Sequence, residues 1–179
     1  MAIRYEYYNT GDDDKRTSFD VYWRGQTFTP DIAHTITSVK LLCYKYIAFQ
    51  STVGTVIVSI RATSADLPTG NDLCSGTTDG DTLTEDAAGE WREISLGAGY
   101  SLSASTMYAI VVRAPSGGVL SSLNLRVDET SPAYTDGAYC WSGDSGSSWT
   151  KVDTVDMMFE EWGAAGTQTI GPFPTHFRI

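Results

Sequence analysis

Positive charge, cysteine and histidine are all scarce in this chain. It has 12 Lys and Arg against 22 Asp and Glu, a formal net charge of −10 and a pI near 4.4. Nucleic-acid backbones are bound by Lys and Arg that displace counterions, and anionic bilayers attract the same residues, so neither partner suits this chain. An acidic shell suits solubility, divalent cations or a basic partner. The three cysteines, Cys43, Cys74 and Cys140, form no CxxC pair of the kind that holds zinc. An odd count leaves at least one thiol free, and Cys43, inside an apolar stretch, reads as buried and inert. With only His34 and His176, general-base chemistry by histidine has few places to sit. No long Ala/Leu/Glu/Lys segment occurs, so helix is scarce. No apolar run approaches the ~20 residues of a membrane-spanning helix. The N-terminal MAIRYEYYNT lacks the apolar core of a signal peptide. These readings predict cytoplasmic synthesis, with any external location reached by another exit, such as lysis that releases a virion.

What is present is a grammar of strands. In GTVIVSIRATSADLPTG, Gly54 to Gly70, Val56, Val58, Ile60 and Ala62 share one face. Thr55, Ile57, Ser59 and Arg61 share the other, a period of two that a strand produces and a helix does not. Similar stretches run over Arg4–Tyr8, Ser18–Trp23, Gln26–Thr29, Thr35–Tyr46, Asp72–Thr77 and Glu90–Leu96. Others follow at Met107–Ala114, Leu123–Asp128, Ala138–Trp141, Trp149–Val152 and Asp156–Trp162, while Asn9–Arg16, NTGDDDKR, reads as a polar turn. Many short strands with turn signals every ~8–12 residues predict an all-β fold, a two-sheet antiparallel β-sandwich of jelly-roll type. Val56, Val58, Ile60, Ile110, Val112, Leu123 and Leu125 form its expected core. One domain spans 1–163, and 164–179 is an extended tail.

The order QTFTP (Gln26–Pro30), HTITSVKL (His34–Leu41), GTVIVSIRATSADLPTG, YAIVVRAPSG (Tyr108–Gly117) and DMMFEEWG (Asp156–Gly163) resembles a known family. It is similar to the choice-of-anchor type β-sandwich domains of microbial surface proteins and to related phage and metagenomic structural modules. The resemblance covers about Gln26 to Gly163. It implies the fold and carries no catalytic residues.

Four motifs bear on function. Ser142-Gly143-Asp144-Ser145-Gly146-Ser147-Ser148-Trp149 matches the Asp-box pattern, S-x-D-x-G-x-[ST]-W. Asp144 is expected to accept backbone N–H groups within the turn, Gly146 to take positive φ and Trp149 to cap the hairpin, with Ser142 and Ser148 in support. The embedded Gly-Asp-Ser-Gly is a coincidence, because no base histidine held by a carboxylate accompanies it. Glu160 and Glu161, adjacent on a strand, point to opposite faces and cannot flank one glycosidic bond. They read as salt-bridge residues, with Arg61 or Arg113 as expected partners. Asp12, Asp13 and Asp14 are candidate oxygen ligands for Ca²⁺, the one cofactor the sequence suggests, against the simpler reading of a solvated turn. Tyr44, Tyr46 and Trp141 are candidate stacking residues for glycans.

The tail carries Ile170, Phe173, Phe177 and Ile179, expected to anchor assembly with another subunit. Taken together, the sequence predicts a non-enzymatic structural or binding module. The leading expectation is an exterior virion protein of a phage, a capsid decoration or tail-associated subunit that meets other virion subunits or copies of itself. The alternative is a carbohydrate-binding module of an extracellular protein.

Overall fold

The alternation in the Gly54 stretch becomes one side of an interface between two sheets. The computed structural model describes residues 2–49 and 51–165. The first sheet contains β1 (Ile3–Tyr8), β2 (Asp14–Ser18), β4 (His34–Ile47), β7 (Glu90–Leu102), β9 (Ser121–Asp128), β12 (Asp156–Met157) and β13 (Phe159–Ala165). The second contains β3 (Trp23–Phe28), β5 (Thr55–Ser64), β6 (Leu67–Asp79), β8 (Tyr108–Arg113), β10 (Tyr139–Ser142) and β11 (Thr150–Val152), in the order β11-β10-β3-β8-β5-β6. Every named strand pair is antiparallel. The fold is a two-sheet antiparallel β-sandwich.

β4 is the spine of the first sheet. It pairs with β7 along one edge and with β13 and then β9 along the other. Val56, Val58, Ile60, Ile110, Val112, Leu123 and Leu125 are all buried in one apolar core fed by both sheets. Each such side chain contributes about 1.5–3 kcal/mol by leaving water. The core also contains a polar clamp. Gln26 on β3 donates to Asp156 Oδ1 at 3.2 Å and accepts from the Met157 amide at 2.9 Å, tying β3 to β12 across the layers. Burial pushes the Asp156 carboxyl up to about 6.

The two lateral edges of the sandwich differ. On one side β6 and β7 press together: a Cβ added at Gly76 would lie 1.8 Å from the Ser95 carbonyl oxygen. On the other, β2 of the first sheet stands across from β10 and β11 of the second, and the sheets part. The chain crosses between them at one end of this opening, through the Phe19–Tyr22 turn that joins β2 to β3.

Three local expectations change. NTGDDDKR is a turn only in its first half, because Asp14–Arg16 begins β2, which pairs with β9. The residues that share the parity of Val127, Leu125 and Leu123 there are Asp14, Arg16 and Ser18, all polar, so no apolar alternation announces the strand. The expected strand Ser18–Trp23 is instead the connection between sheets. Asp156–Trp162 divides at Met158, whose amide bonds Arg126 while its carbonyl accepts from Leu42, as the chain passes from β9 to β4. The second part of that stretch, β13, runs on to Ala165, beyond the expected strand end at Trp162. No helix among the described residues is long and apolar enough to cross a membrane.

Candidate functional site

The open edge holds a cleft of about 320 Å³ lined by Arg16, Tyr22, Arg24, Tyr139, Trp141 and Val152. Strand parity explains the lining. Along β3, Arg24, Gln26 and Phe28 point inward, and Arg24 sits opposite the core residue Val112. On β10, Tyr139 and Trp141 share that face, and Val152 of β11 pairs with Tyr139. Arg16 enters from β2 on the facing sheet, opposite Leu125. Each of these residues occupies a position that would be core if the sheets closed here.

The two arginines differ in what surrounds them. Arg16 donates to Asp14 at 2.9 Å and to Glu129 at 2.7 Å. Burial opposes its charge, but these carboxylates outweigh that and hold the guanidinium above its usual range. Arg24 donates its Nε to the Thr17 carbonyl at 2.6 Å, lies 6.0 Å from the Trp141 ring centre and meets no carboxylate among the described residues. Burial pushes its pKa down. Tyr139, only 2 % exposed, forms the floor, and its buried hydroxyl has no hydrogen-bond partner among the described residues. Burial also pushes this phenol up, so it remains a neutral O–H donor.

The Asp-box loop braces the mouth. Asp144 Oδ1 accepts from the Ser148 amide at 2.9 Å, and Oδ2 accepts from the Ser148 hydroxyl at 2.6 Å. Ser142 donates to Asp144 at 2.7 Å and accepts from the Gly146 amide at 2.8 Å. The Ser148 bonds, ahead of the others, draw the Asp144 carboxyl down to about 2. Gly146 has φ +81°, where a side chain is strained, and a Cβ there would strike the Trp23 ring at 2.6 Å. Trp149 folds over Gly25 on the outer face of the second sheet. The loop is tied to the inter-sheet turn by the Ser145 amide, which bonds Val21, and Gly143 lies against the edges of Trp141 and Tyr22. A smaller groove of about 250 Å³ also borders Trp141.

The candidate stacking residues are therefore divided. Trp141 lies in the open-edge cleft. Tyr44 and Tyr46 line a separate groove of about 280 Å³ with Lys15, Thr17, Val119, Ser122 and Asn124. That groove is on the outer face of the first sheet, where Tyr44 is buried and Tyr46 is 50 % exposed. Arg24 and Arg16 escape a search for stacking residues. The parity of Arg24 with Phe28 along one strand is the signal that marks it as inward-facing.

The three aspartates do not converge. Asp12 pairs with Arg126 at 2.8 Å, Asp13 accepts from the amides of Glu129 and Thr130, and Asp14 pairs with Arg16. No group of three or more His, Cys, Asp or Glu among the described residues is arranged to hold a metal ion. Their spacing in sequence does not survive as spacing in space, because each carboxylate meets its own donor as the chain enters β2.

The glutamates find other partners than those expected. Glu160 bonds Arg4, Asn9 and Trp162, each at 2.9 Å. Glu161 is fully buried, with His34 Nε2 2.8 Å from both of its oxygens. Arg61 and Arg113 share Asp72 instead, on the outer face of the second sheet beside Trp23. His34 Nδ1 faces the Ile32 carbonyl at 2.7 Å, and its ring stacks on Tyr5 at 3.6 Å. All three cysteines are free thiols; burial pushes Cys43 and Cys140 up to about 12 and Cys74 to about 11, so none is a ready nucleophile. The assembly residues Ile170, Phe173, Phe177 and Ile179 lie outside the described residues.

A scan against protein-family models matches no family, and a search of curated proteins finds no match to this chain.

Proposed function

We propose that this chain is a binding module whose site is the open-edge cleft, and that its ligand is a saccharide. The observation that carries the reading is the convergence of Trp141, Tyr22 and Arg24 over a floor formed by Tyr139. Sugar sites combine an aromatic face for the C–H side of the ring with a few fixed polar groups for its hydroxyls. The groups that could suggest catalysis are otherwise engaged: both His34 nitrogens face protein acceptors, Glu160 and Glu161 are paired, and Asp144 is bound into its own turn. That favours binding over turnover.

The test is glycan-array binding by the full chain, followed by calorimetry with Trp141→Ala. Binding that is lost in the variant, with the fold retained, supports the reading. Binding unaffected by Trp141→Ala overturns the placement of the site.

A second reading, an exterior virion subunit, is favoured by a different observation. Phe49 (90 % exposed), Val119, Leu120 and Tyr46 gather where β4 ends near the approach to β9. Exposed apolar patches often mark contacts between subunits. Sedimentation of the full chain tests it: a monomer at all concentrations speaks against self-assembly through this patch.

A further inference from the structure

The arginines of this chain follow a rule with one exception. Arg4, Arg16, Arg61, Arg92, Arg113 and Arg126 each have a carboxylate within ion-pair distance. Arg24 alone among the described arginines has none. In a chain with 22 acidic residues and only 12 basic ones, chance does not readily leave an arginine unpaired. Its Nε is spent on the Thr17 carbonyl, which fixes the plane of the guanidinium, while Nη1 and Nη2 have no protein acceptor among the described residues. Neither nitrogen is among the buried unpartnered atoms, so their shared edge is reachable from solvent and open to an anionic partner.

Arg24 lines the cleft together with Tyr22 and Trp141. A guanidinium only donates, so the missing partner is an acceptor, and its charge asks that the acceptor be negative. A planar carboxylate fits the guanidinium fork by two parallel hydrogen bonds. Trp141 and Tyr22 offer apolar ring surfaces beside it, and about 320 Å³ gives room for a small ring with its substituents. Arg16 is already neutralised by Asp14 and Glu129, so it supports the wall without competing for the anion.

We infer that the ligand of the open-edge cleft is an acidic saccharide, a sugar ring bearing a carboxylate, held by the free edge of Arg24 against Trp141. This rests on the reading of the cleft as a saccharide site and adds the charge of its ligand.

Three probes separate the two claims: trigalacturonate, its trimethyl ester and galactotriose. Calorimetry on the full chain should find trigalacturonate bound and the ester about tenfold or more weaker, as expected when hydrogen bonds to a charged group are lost. The side-chain nitrogen resonances of Arg24 in labelled protein should move with the acid and stay still with the ester, a readout that needs no variant. Arg24→Gln should reduce the acid to the affinity of the ester. Arg24→Lys, which keeps the charge and loses the fork, should fall between them. Equal affinity for acid and ester overturns the inference and leaves the saccharide site standing. So does binding of the acid with Arg24 resonances unmoved. Displacement of the acid by sodium sulfate at equal concentration reveals a simple anion pocket and also overturns it. Failure of all three saccharides to bind overturns both this inference and the reading beneath it.

Discussion

The two edges of the sandwich solve the same problem in opposite ways. At the β6–β7 edge the sheets close until backbone meets backbone, and Gly76 is there because any side chain would collide with the Ser95 carbonyl. At the β2–β11 edge the inward positions carry Arg16, Arg24 and Trp141, residues too large and too polar to be sealed into a dry core, above the buried Tyr139. One edge spends its positions on packing, the other on a cleft. A site placed on rigid strands, rather than on loops, is held in position by the sheets themselves.

Substitutions in the core and at the two edges should differ in cost. The largest effect is expected in the shared core: Ile110→Ala should lose about 2–5 kcal/mol in chemical denaturation, by lost burial and the cavity left behind. Gly76→Ala at the closed edge should follow, at about 1–3 kcal/mol, since the sheets must shift to admit a methyl group. Full tolerance of Gly76→Ala would mean that this edge is not closed as described.

Asp144→Ala should lower the melting temperature by less than either. It should also weaken saccharide binding without abolishing it, because the loop braces Trp141 and Tyr22 rather than touching the ligand. Complete loss of binding with an unchanged melting temperature would instead place Asp144 in the site.

The His34–Glu161 pair predicts a pH dependence belonging to neither edge. The Ile32 carbonyl can only accept, so Nδ1 carries a proton, and Nε2 donates to Glu161 when the ring is charged. Burial opposes that charge, but the bond to Glu161 outweighs it, and the folded-state pKa of His34 rises above 6.5. This contribution is fully present below about pH 6.5 and is lost as pH rises through the folded value. The melting temperature of the wild type should therefore drop more between pH 6 and pH 9 than that of His34→Gln. Parallel profiles would contradict the assignment.

The smallest stability change is expected at the open edge. Arg24→Gln should stay within about 1 kcal/mol of wild type, because a lost bond to Thr17 is offset by relief of an unpaired, half-buried charge. A large loss would recast Arg24 as a structural clamp.

Much of the fold was legible because burial imposes a period of two. The core residues of β5, β8 and β9 stand out in sequence as alternating Val, Ile and Leu, and the sheets follow from them. β2 was not legible, since an edge strand with Arg16 and Ser18 facing inward looks like a polar loop. The site was legible only in part. Trp141 announces itself as an aromatic, but its neighbours depend on which strand lies across the opening, and no local pattern encodes that. Tyr44 and Tyr46 show the converse failure: the same chemistry on β4 lies on the other sheet's outer face. The Asp12–Asp14 run failed as a metal site because contiguous carboxylates diverge once the backbone becomes extended.

The account stands most directly on where a ligand lands. Titrating trigalacturonate into labelled full-length protein and mapping amide shifts would locate it. Perturbations should gather on Arg16, Tyr22, Arg24, Tyr139, Trp141 and Val152, with β6 and β7 silent. Shifts gathered instead on the Tyr44–Tyr46 groove, or none at saturating ligand, would contradict it.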